Sequence, residues 1–392
     1  MDLVGNLTSA LSKSVSVQNE MVPVPIYRIG MAGKDITAKF DGRLIGLTLE
    51  ENRGFEADQL DIELDDSDGL LELPPRGAKL TLAIGWKHSG LVDKGTYTVD
   101  EITHQGPPDR LTIRARSADL RSGLTTKREK SYHNLSVLDL VNLIAQRHNL
   151  GAIVASALAG QFLSHLDQTG ESDASLLTRV ARMFDAIATV KADRLLFTKI
   201  GQAVSATGKP LAGVTVTRKD GDQHHFSVAD RDSYDYVVAY FQDTRAAKKG
   251  QVIVTAVSEG SSSVSTGTPK PKKTPKKKKK GTPQKEKVEP PLVEPTGNRK
   301  ELRHVYASKT NAMRAARAEW QRIQRGVATF SWTLAHGNPE LFPEVPVTVR
   351  GFKPQIDSTD WILAKTRHTL DGNSGFTTAL ELEIKATEVP DE

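Results

Sequence analysis

The 392-residue chain contains no cysteine and few aromatic residues, which make up 6% of it. The absence of cysteine excludes disulfides, thiolate zinc sites and thiol nucleophiles, and is typical of a protein made in a reducing cytoplasm. No apolar run approaches the ~20 residues that a membrane-spanning helix needs. The first residues lack a basic segment followed by an apolar block, so no signal peptide is predicted. With 38% hydrophobic residues the chain can still bury a core, and its length predicts two or three domains.

The positive charge of the chain is concentrated in one segment. Residues 268–300 contain eleven Lys, one Arg and three Glu, a net charge of +9, whereas the whole chain carries +5. The remainder is therefore mildly acidic at −4, and a nucleic-acid partner does not follow from the overall pI of about 9.1. The run Lys276–Lys280 is either a solvated stretch or an electrostatic tether to DNA, an acidic neighbour or anionic lipid. Any DNA binding there would be non-specific and lost at high salt.

Two stretches far apart in the chain have the pattern of one β-hairpin module written twice. They span Lys79–Ser117 and Val345–Lys385, and each ends in a strand that alternates polar and apolar residues. Both middle strands carry adjacent Thr and His residues, at Thr103-His104 and at His368-Thr369. Two copies of one module can occupy neighbouring positions in a ring, so three chains would form a pseudo-sixfold ring.

The composition changes along the chain divide it into five segments. An N-terminal segment is followed by a β module, a mixed α/β segment, and a second β domain that a disordered Lys/Pro-rich insertion interrupts. The corresponding ranges are 1–21; 22–119; 120–223; 224–258 with 301–387; and 259–300.

Three helices are predicted from apolar residues at helical spacing. The first follows a cap at Asn134 or Ser136, the second covers Asp173–Phe184, and the third covers Ala307–Gln324. A strand pair with a turn at Lys191–Asp193 is expected after the second helix.

The order of these parts resembles the phage late control D family, the baseplate hub of contractile tails, which is related to the hub part of VgrG proteins in type VI secretion. The resemblance covers nearly the whole chain. Its motifs are short, and their order and spacing carry the assignment: Arg43–Leu49, Asp58–Asp66, Gly85-Trp86, Gly95–Ile102, Ser131–Val137, Gln168–Asp173 and Ala312–Ala318 with Trp320.

The resemblance implies a homotrimeric adaptor between the sixfold tail tube and the threefold spike. The fold class it implies is α+β and mainly β, with two tail-tube-like β-barrel modules and a mixed α/β middle domain. The partners it implies are the tail spike protein, the tail tube protein, other baseplate proteins and the tape measure protein, with DNA passing through the lumen. VgrG-type proteins continue into a spike domain, so here the spike is expected to be a separate chain. The place of action is the virion tail baseplate, assembled in the bacterial host cytoplasm.

A search for catalytic, cofactor-binding and metal-binding residues finds no strong candidate. The chain has no phosphate-binding glycine loop, no His-Glu-x-x-His and no Gly-x-Ser-x-Gly. Adjacent acids on a strand point to opposite faces, so Glu50-Glu51 cannot flank one bond, and Asp65, Asp66 and Asp68 read as a solvated turn. We therefore predict no enzyme activity, no cofactor and no metal.

Several histidines and acids have two readings. His224-His225, with Asp222 and Asp230 nearby, is either a metal site or a pair of diverging strand residues. His104 and His368 either line a pore or are partly buried strand residues. One set of acids either faces a lumen or lies on an ordinary wet sheet face: Asp58, Asp61, Glu63, Asp65, Glu381 and Glu383.

The sequence therefore favours a structural hub whose permanent interfaces have apolar centres. The alternatives are a tail-associated peptidoglycan hydrolase, disfavoured by the lack of convergent acids, and a DNA-binding late regulatory protein, disfavoured because the basic charge is confined to one segment. Interface anchors are expected among the larger aromatic residues of the second β domain: Tyr234, Tyr236, Tyr240, Phe241, Trp332, Phe342 and Phe352.

Overall fold

A computed structural model describes residues 23–54, 56–117, 123–191, 194–205, 207–228, 234–243, 248–255 and 297–385. The predicted segment 1–21, the run Lys276–Lys280 and Asp230 lie outside the described residues. So does the predicted insertion 259–300, apart from its last four residues. The described chain is mainly β, as predicted, with a few helices.

The strands in chain order are β1 Pro25–Met31, β2 Lys34–Asp35, β3 Leu44–Asn52, β4 Gln59–Asp65, β5 Lys79–Trp86, β6 Gly90–Gln105, β7 Arg110–Arg116, β8 Lys127–Ser136, β9 Gly151–Val154, β10 Phe162–Ser172, β11 Ala186–Lys191, β12 Arg194–Lys199, β13 Val214–Thr217, β14 Gly221–Val228, β15 Tyr236–Asp243, β16 Lys248–Thr255, β17 Arg299–Tyr306, β18 Ala328–Leu334, β19 Pro346–Arg350, β20 Trp361–Asp371 and β21 Gly375–Ile384. The α-helices are α1 Val137–Arg147, α2 Ser156–Ala159, α3 Asp173–Met183, α4 Lys309–Gly326 and α5 Pro354–Asp357. Helices α3 and α4 lie within two residues of their predicted ends, and Ser136, one of the two predicted caps, caps α1.

One large sheet contains two β modules joined side by side. The first β module consists of β1–β7, and the second of β13, β14 and β18–β21. The hydrogen-bonded path runs β14-β18-β21-β20-β3-β4-β7-β6-β5-β1-β2, with β19 attached to β20 and β13 to β19. The expectation was two barrels. In the described residues the path does not return to its start, because β3 of one module pairs with β20 of the other.

The two β modules repeat one strand order, which contains the hairpin repeat predicted from the sequence. The order β3-β4-β7-β6-β5-β1 in the first corresponds to β14-β18-β21-β20-β19-β13 in the second. Val99 exchanges backbone hydrogen bonds with residues 77 and 78, and Leu363 does the same with residues 344 and 345. A β-bulge follows each of them, before Glu101 and before Lys365. Counting from the bulges makes His104 of the first module equivalent to His368 of the second module. One difference is that β13 runs parallel to β19, whereas β1 runs antiparallel to β5.

The middle segment forms a separate α/β core. The apolar stripes of α1 and α3 pack against the β9-β12-β11 sheet and the β8-β10 ribbon, with Leu140, Leu176 and Phe197 fully buried. Asp173 at the first position of α3 is also buried and accepts hydrogen bonds from Arg147 and Gln168. The motif Gln168–Asp173 therefore has a structural role.

The strands β15–β17 and helix α4 form a third unit. The prediction grouped these strands with the second β module. In the structure they make a sheet of their own in the order β16-β15-β17. Both edges of β15 are occupied by β16 and β17, and α4 packs Ala316 and Trp320 against Val237 and Val252. Because both edges are taken, β15 cannot join the large sheet.

Candidate functional site

The junction between the two β modules is the most elaborate polar site among the described residues. We call it the seam, defined by the pairing of β3 with β20 and by the side chains that cross it. Seven antiparallel pairs run from Lys365 opposite Asn52 to Asp371 opposite Gly46. Leu370 and Phe376 of the second module complete the apolar core of the first. The two modules therefore share both a sheet and part of a core.

A buried charge triad lies at the centre of the seam. Glu51 is 7% exposed and accepts a 2.8 Å hydrogen bond from Lys94 Nζ and a 3.2 Å bond from the Thr366 hydroxyl. His368 Nε2 is 3.2 Å from the same carboxylate oxygen. Lys94 also donates to the backbone oxygen of Leu341 at 3.1 Å. Residues of both modules thus share one carboxylate.

Electrostatics fixes the protonation states of the triad. Burial alone raises the pKa of Glu51, but the hydrogen bond from His368 and the charge of Lys94 outweigh it and lower the pKa to about 2. Burial lowers the pKa of His368, so the ring is neutral at pH 7. Its Nε2 faces two acceptors, Glu51 and the Leu341 carbonyl, and must donate, while Nδ1 accepts from the Thr378 hydroxyl at 2.9 Å.

A second ion-pair group lies just beyond the Asn52 end of the seam. Arg53 follows β3 and contacts Glu344 and Glu383 of the second module, each at 2.6 Å. The Glu344 carboxylate also accepts a 2.7 Å hydrogen bond from the backbone of Gly201, beyond the strands of the middle segment. Burial raises the pKa of Glu344, and the Arg53 guanidinium opposes that rise. Arg53 and Glu344 therefore join both modules to the middle segment.

Two further ion pairs fix the middle segment to its neighbours. Lys191 at the end of β11 lies 3.0 Å from Asp58 in the first β module, and Asp58 accepts a 2.8 Å bond from the Asn52 backbone. Arg325 near the end of α4 makes a buried bidentate contact with Asp185. Bidentate guanidinium–carboxylate contacts are directional as well as strong, so they set the orientation of the joined elements.

An aromatic contact between the end of β5 and the loop after β18 also connects the two modules. The Trp86 indole at the end of β5 donates to the backbone oxygen of Gly337 at 2.7 Å. Its ring stacks on His336 with a centroid distance of 3.8 Å. Gly337 itself lies so close to Phe376 that a side chain there would overlap the ring. The loop after β18 is thus held against the first module.

The acidic residues considered as catalytic candidates are held by ion pairs and hydrogen bonds. Glu50 pairs with Lys365 at 2.6 Å, whereas Glu51 contacts Lys94 and His368 in the triad. The two carboxylates therefore point to opposite sides of β3, as expected. Asp65, Asp66 and Asp68 organise the turn after β4, where they bind backbone amides or neighbouring side chains.

The predicted acidic face is neutralised by its neighbours. Asp61 and Glu63 on β4 lie beside Arg114 and Arg110 of β7, at 3.6 and 2.8 Å. Asp58 is buried and does not share that face. The strand order decides this result, since it places the basic strand β7 directly beside β4.

The histidines separate in the structure. His104 is largely exposed and lies 3.2 Å from Asp66, whereas His368 is buried in the triad. His224 packs near Phe330 and Phe352. No group of three or more His, Asp or Glu in the described ranges could hold a metal ion. The same part of the chain has no helix of the length and apolar character needed to span a bilayer.

The aromatic residues expected to anchor interfaces differ in how exposed their side chains are. Trp332 and Tyr236 are core residues, and Phe342 is the one with a large exposed fraction, 41%. The seam residues Lys94, Arg53 and Glu344 were not found from the sequence, and neither was Arg325 of α4. Long-range ion pairs leave no local spacing signal, so nothing in the sequence pattern would have indicated them.

Comparison with known proteins assigns the family. Residues 53–374 match the family model described as phage tail baseplate hub (GPD). The chain belongs to that family. It is 49% identical over 371 residues to the probable baseplate hub protein of Escherichia phage 186, covering 93% of this chain and 94% of that protein. It is 46% identical over 366 residues to the probable baseplate hub protein of Escherichia phage P2, with the same coverage. The resemblance stated from the sequence motifs is confirmed.

Solved structures show the same fold at low sequence identity. The 43 kDa tail protein of prophage MuSo2 from Shewanella oneidensis is 13% identical, with a TM-score of 0.63, covering 91% of this chain and 97% of that one. The E. coli c3393 protein, a component of the type VI secretion system, is 10% identical with a TM-score of 0.51, covering 93% and 79%. The fold is therefore shared with a prophage tail protein and with a component of the type VI secretion system.

Proposed function

We propose that the chain is a structural, non-enzymatic hub of a contractile phage tail, a homotrimer that matches the sixfold tail tube to the threefold spike. In this arrangement each chain supplies two neighbouring positions of a pseudo-sixfold ring. The ring faces the tail tube protein and forms part of the conduit through which DNA passes. The spike protein, other baseplate proteins and the tape measure protein are the remaining partners, and assembly takes place in the bacterial cytoplasm.

The observation that supports this function best is the repeat of one strand order on the two sides of the seam. A chain with two equivalent modules, fixed side by side by a shared sheet, can present twofold-repeated surfaces to a sixfold partner and still obey threefold symmetry. The buried ion pairs of the seam favour a fixed angle between the modules, because breaking any of them leaves an unpaired buried charge. A ring needs that fixed angle in order to close. The tube-like units of this proposal are the two β modules, β1–β7 and β13, β14 with β18–β21, without the separate sheet β15–β17.

The decisive measurement is the solution mass by light scattering. It would be made on the full chain alone and on the full chain mixed with the tail spike protein of the same phage. A mass three times that of the 42.8 kDa chain in either sample is the expected result. A single-chain mass in both samples, with no spike binding, would refute the adaptor.

A zymogram on peptidoglycan gives an independent check of the structural role. No clearing is expected, since the carboxylates Glu50 and Glu51 are ion-paired on opposite sides of one strand. Clearing by the purified chain would favour the hydrolase alternative.

A further inference from the structure

Among the described residues, the seam occupies one edge in each module and the equivalent edges have no strand partner. Strand β3 has β4 on one side and β20 on the other, whereas its counterpart β14 has a strand partner only on the β18 side in the described chain. Strand β20 pairs with β3 along residues 365–371. In its counterpart β6, the only described strand that pairs with residues 101–105 is β7, since β5 reaches no further than Thr98 and Val99 bonds to residues 77 and 78. The described part of each chain thus has two unpaired edges that correspond to the two edges joined in its own seam.

The strand pairing defines which residues correspond. Leu363 and Val99 precede the bulges in β20 and β6, so Thr366 corresponds to Ile102 and Arg367 to Thr103. The same counting through β4 and β18 relates β3 to β14. It makes Glu50 equivalent to Ser227 and Glu51 equivalent to Val228. In the seam, Thr366 lies opposite Glu51 and Arg367 opposite Glu50.

We infer that β14 of one copy pairs antiparallel with residues 102–105 of β6 in a second copy of this chain, in the register that β3 and β20 use within one chain. This inference rests on the proposed trimer. The register follows directly from the correspondence and forms four pairs: Ile102 with Val228, Thr103 with Ser227, His104 with Phe226 and Gln105 with His225. Repetition of the contact around a threefold axis gives six modules with equivalent junctions.

The exposure of the residues involved supports the pairing. Val228 is 58% exposed, one of the few large apolar side chains left open to solvent, whereas its counterpart Glu51 is 7% exposed because β20 covers it. Ile102 is partly open, whereas its counterpart Thr366 is 1% exposed. The inferred register places Val228 against Ile102 and so covers two apolar residues with each other. An unpaired strand edge is also a ready template for another strand, so a permanent partner for β14 is expected.

Strands β14 and β6 do not pair with each other among the described residues, where seven strand-to-strand steps of the sheet separate them. A cross-link that joins two copies gives a product of two or three chain masses, whereas a cross-link within one chain leaves the mass of the single chain.

The test is a cysteine pair in a chain that has no cysteine of its own. Thr103→Cys with Ser227→Cys places two thiols directly opposite each other in the inferred register, at a Cα separation of about 4.5–5.5 Å that a disulfide spans. The matched control is Thr103→Cys with His225→Cys, which shifts one thiol by two residues to a diagonal position about 7–8 Å away. Mild oxidation of the first variant should give covalent dimers and trimers and no larger species, because three links close the ring.

The outcomes separate this inference from the proposed function. Covalent trimers in the matched pair and at least about fivefold less linkage in the shifted pair support the register, since linkage depends steeply on geometry. A trimeric mass with no preferential linkage overturns the strand pairing and leaves the trimeric hub standing. A single-chain mass with and without the spike protein overturns both.

A second variant gives a readout that does not depend on oxidation. Val228→Asp should weaken the trimer at least about tenfold on dilution, because it places a charge opposite Ile102. Val305→Asp, at an equally exposed apolar position in β17, is the control and should leave the mass unchanged. Equal effects of the two substitutions would contradict the inferred contact. Circular dichroism on both variants verifies that the fold is intact.

Discussion

Replacement of Glu51 by Gln tests whether the seam carries the stability of the joined modules. The substitution keeps the shape of the side chain and its hydrogen bond from Thr366 but removes the negative charge. Lys94, whose side chain is only 4% exposed, then remains in the interior without a counter-charge. Removal of one partner from a buried ion pair typically costs about 3–5 kcal/mol. That is a large fraction of the ~5–15 kcal/mol that stabilises a typical domain.

The adjacent residue provides a matched control. Glu50 pairs with Lys365 on the opposite side of the same strand, where the two side chains are 28% and 29% exposed. Glu50→Gln should cost at most ~1 kcal/mol because solvent screens such a pair. Urea unfolding followed by tryptophan fluorescence measures both, and Trp86 at the junction is one of the four tryptophans. Equal losses in the two variants, or a loss below ~1 kcal/mol for Glu51→Gln, would refute the buried-charge argument.

The pH dependence gives the reasoning a second test. Burial lowers the pKa of Lys94, and loss of Glu51 removes the largest interaction that raises it again. In Glu51→Gln the unfolded chain therefore binds a proton that the folded chain releases. The stability of this variant should then rise as the pH increases from the pKa of Lys94 in the folded chain towards its ordinary pKa of 10.5. In the natural chain the charge of Glu51 contributes stability above pH 4.5, and this is lost as the pH falls towards about 2. Glu51→Gln should lack that loss, and the double variant Glu51→Gln/Lys94→Met should regain most of the stability.

Three further predictions concern other parts of the structure. Trp86→Phe leaves the Gly337 carbonyl without its donor and should cost about 1–3 kcal/mol by urea unfolding; a loss below ~0.5 kcal/mol would contradict the contact. Asp173→Asn should destabilise the middle segment by about 3–5 kcal/mol, measured as faster amide exchange in α1 and α3, whereas the exposed Asp167→Asn should change little. Burial lowers the pKa of His368, so acidification below pH 6.5 should reduce the free energy of unfolding, because the unfolded chain takes up a proton that the folded chain does not. His368→Gln should make the free energy of unfolding less dependent on pH in this range. An unchanged dependence would mean that another group causes it.

Local patterns predicted the elements of this protein well. Ser136 and the apolar spacing after it located α1, and the polar/apolar alternation at the end of each repeated stretch located β7 and β21. Such signals succeed because capping, turn formation and one-sided burial depend on residues a few positions apart.

Local patterns failed where strands choose distant partners. The predicted second β domain included β15 and β16, but local patterns gave no information on which sheet they join, and with β17 they form a separate sheet under α4. The predicted acidic face on β4 is compensated because β7 brings arginines beside it. Strand partners are fixed by which apolar faces can be buried together, and that depends on the whole chain.

The sequence by itself determined that this protein carries one β module twice, that its basic charge lies in a single segment, and that its motifs are those of a baseplate hub. It could do so because repeats, charge runs and short motifs are properties of sequence order. Only the tertiary structure decided that β3 and β20 join the two modules, and that Glu51, Lys94 and His368 meet inside the junction. Residues 43 to 317 positions apart along the chain become hydrogen-bonded neighbours there. Contacts at that separation come from the packing of whole modules, because burial of both cores brings the open edges of two sheets together.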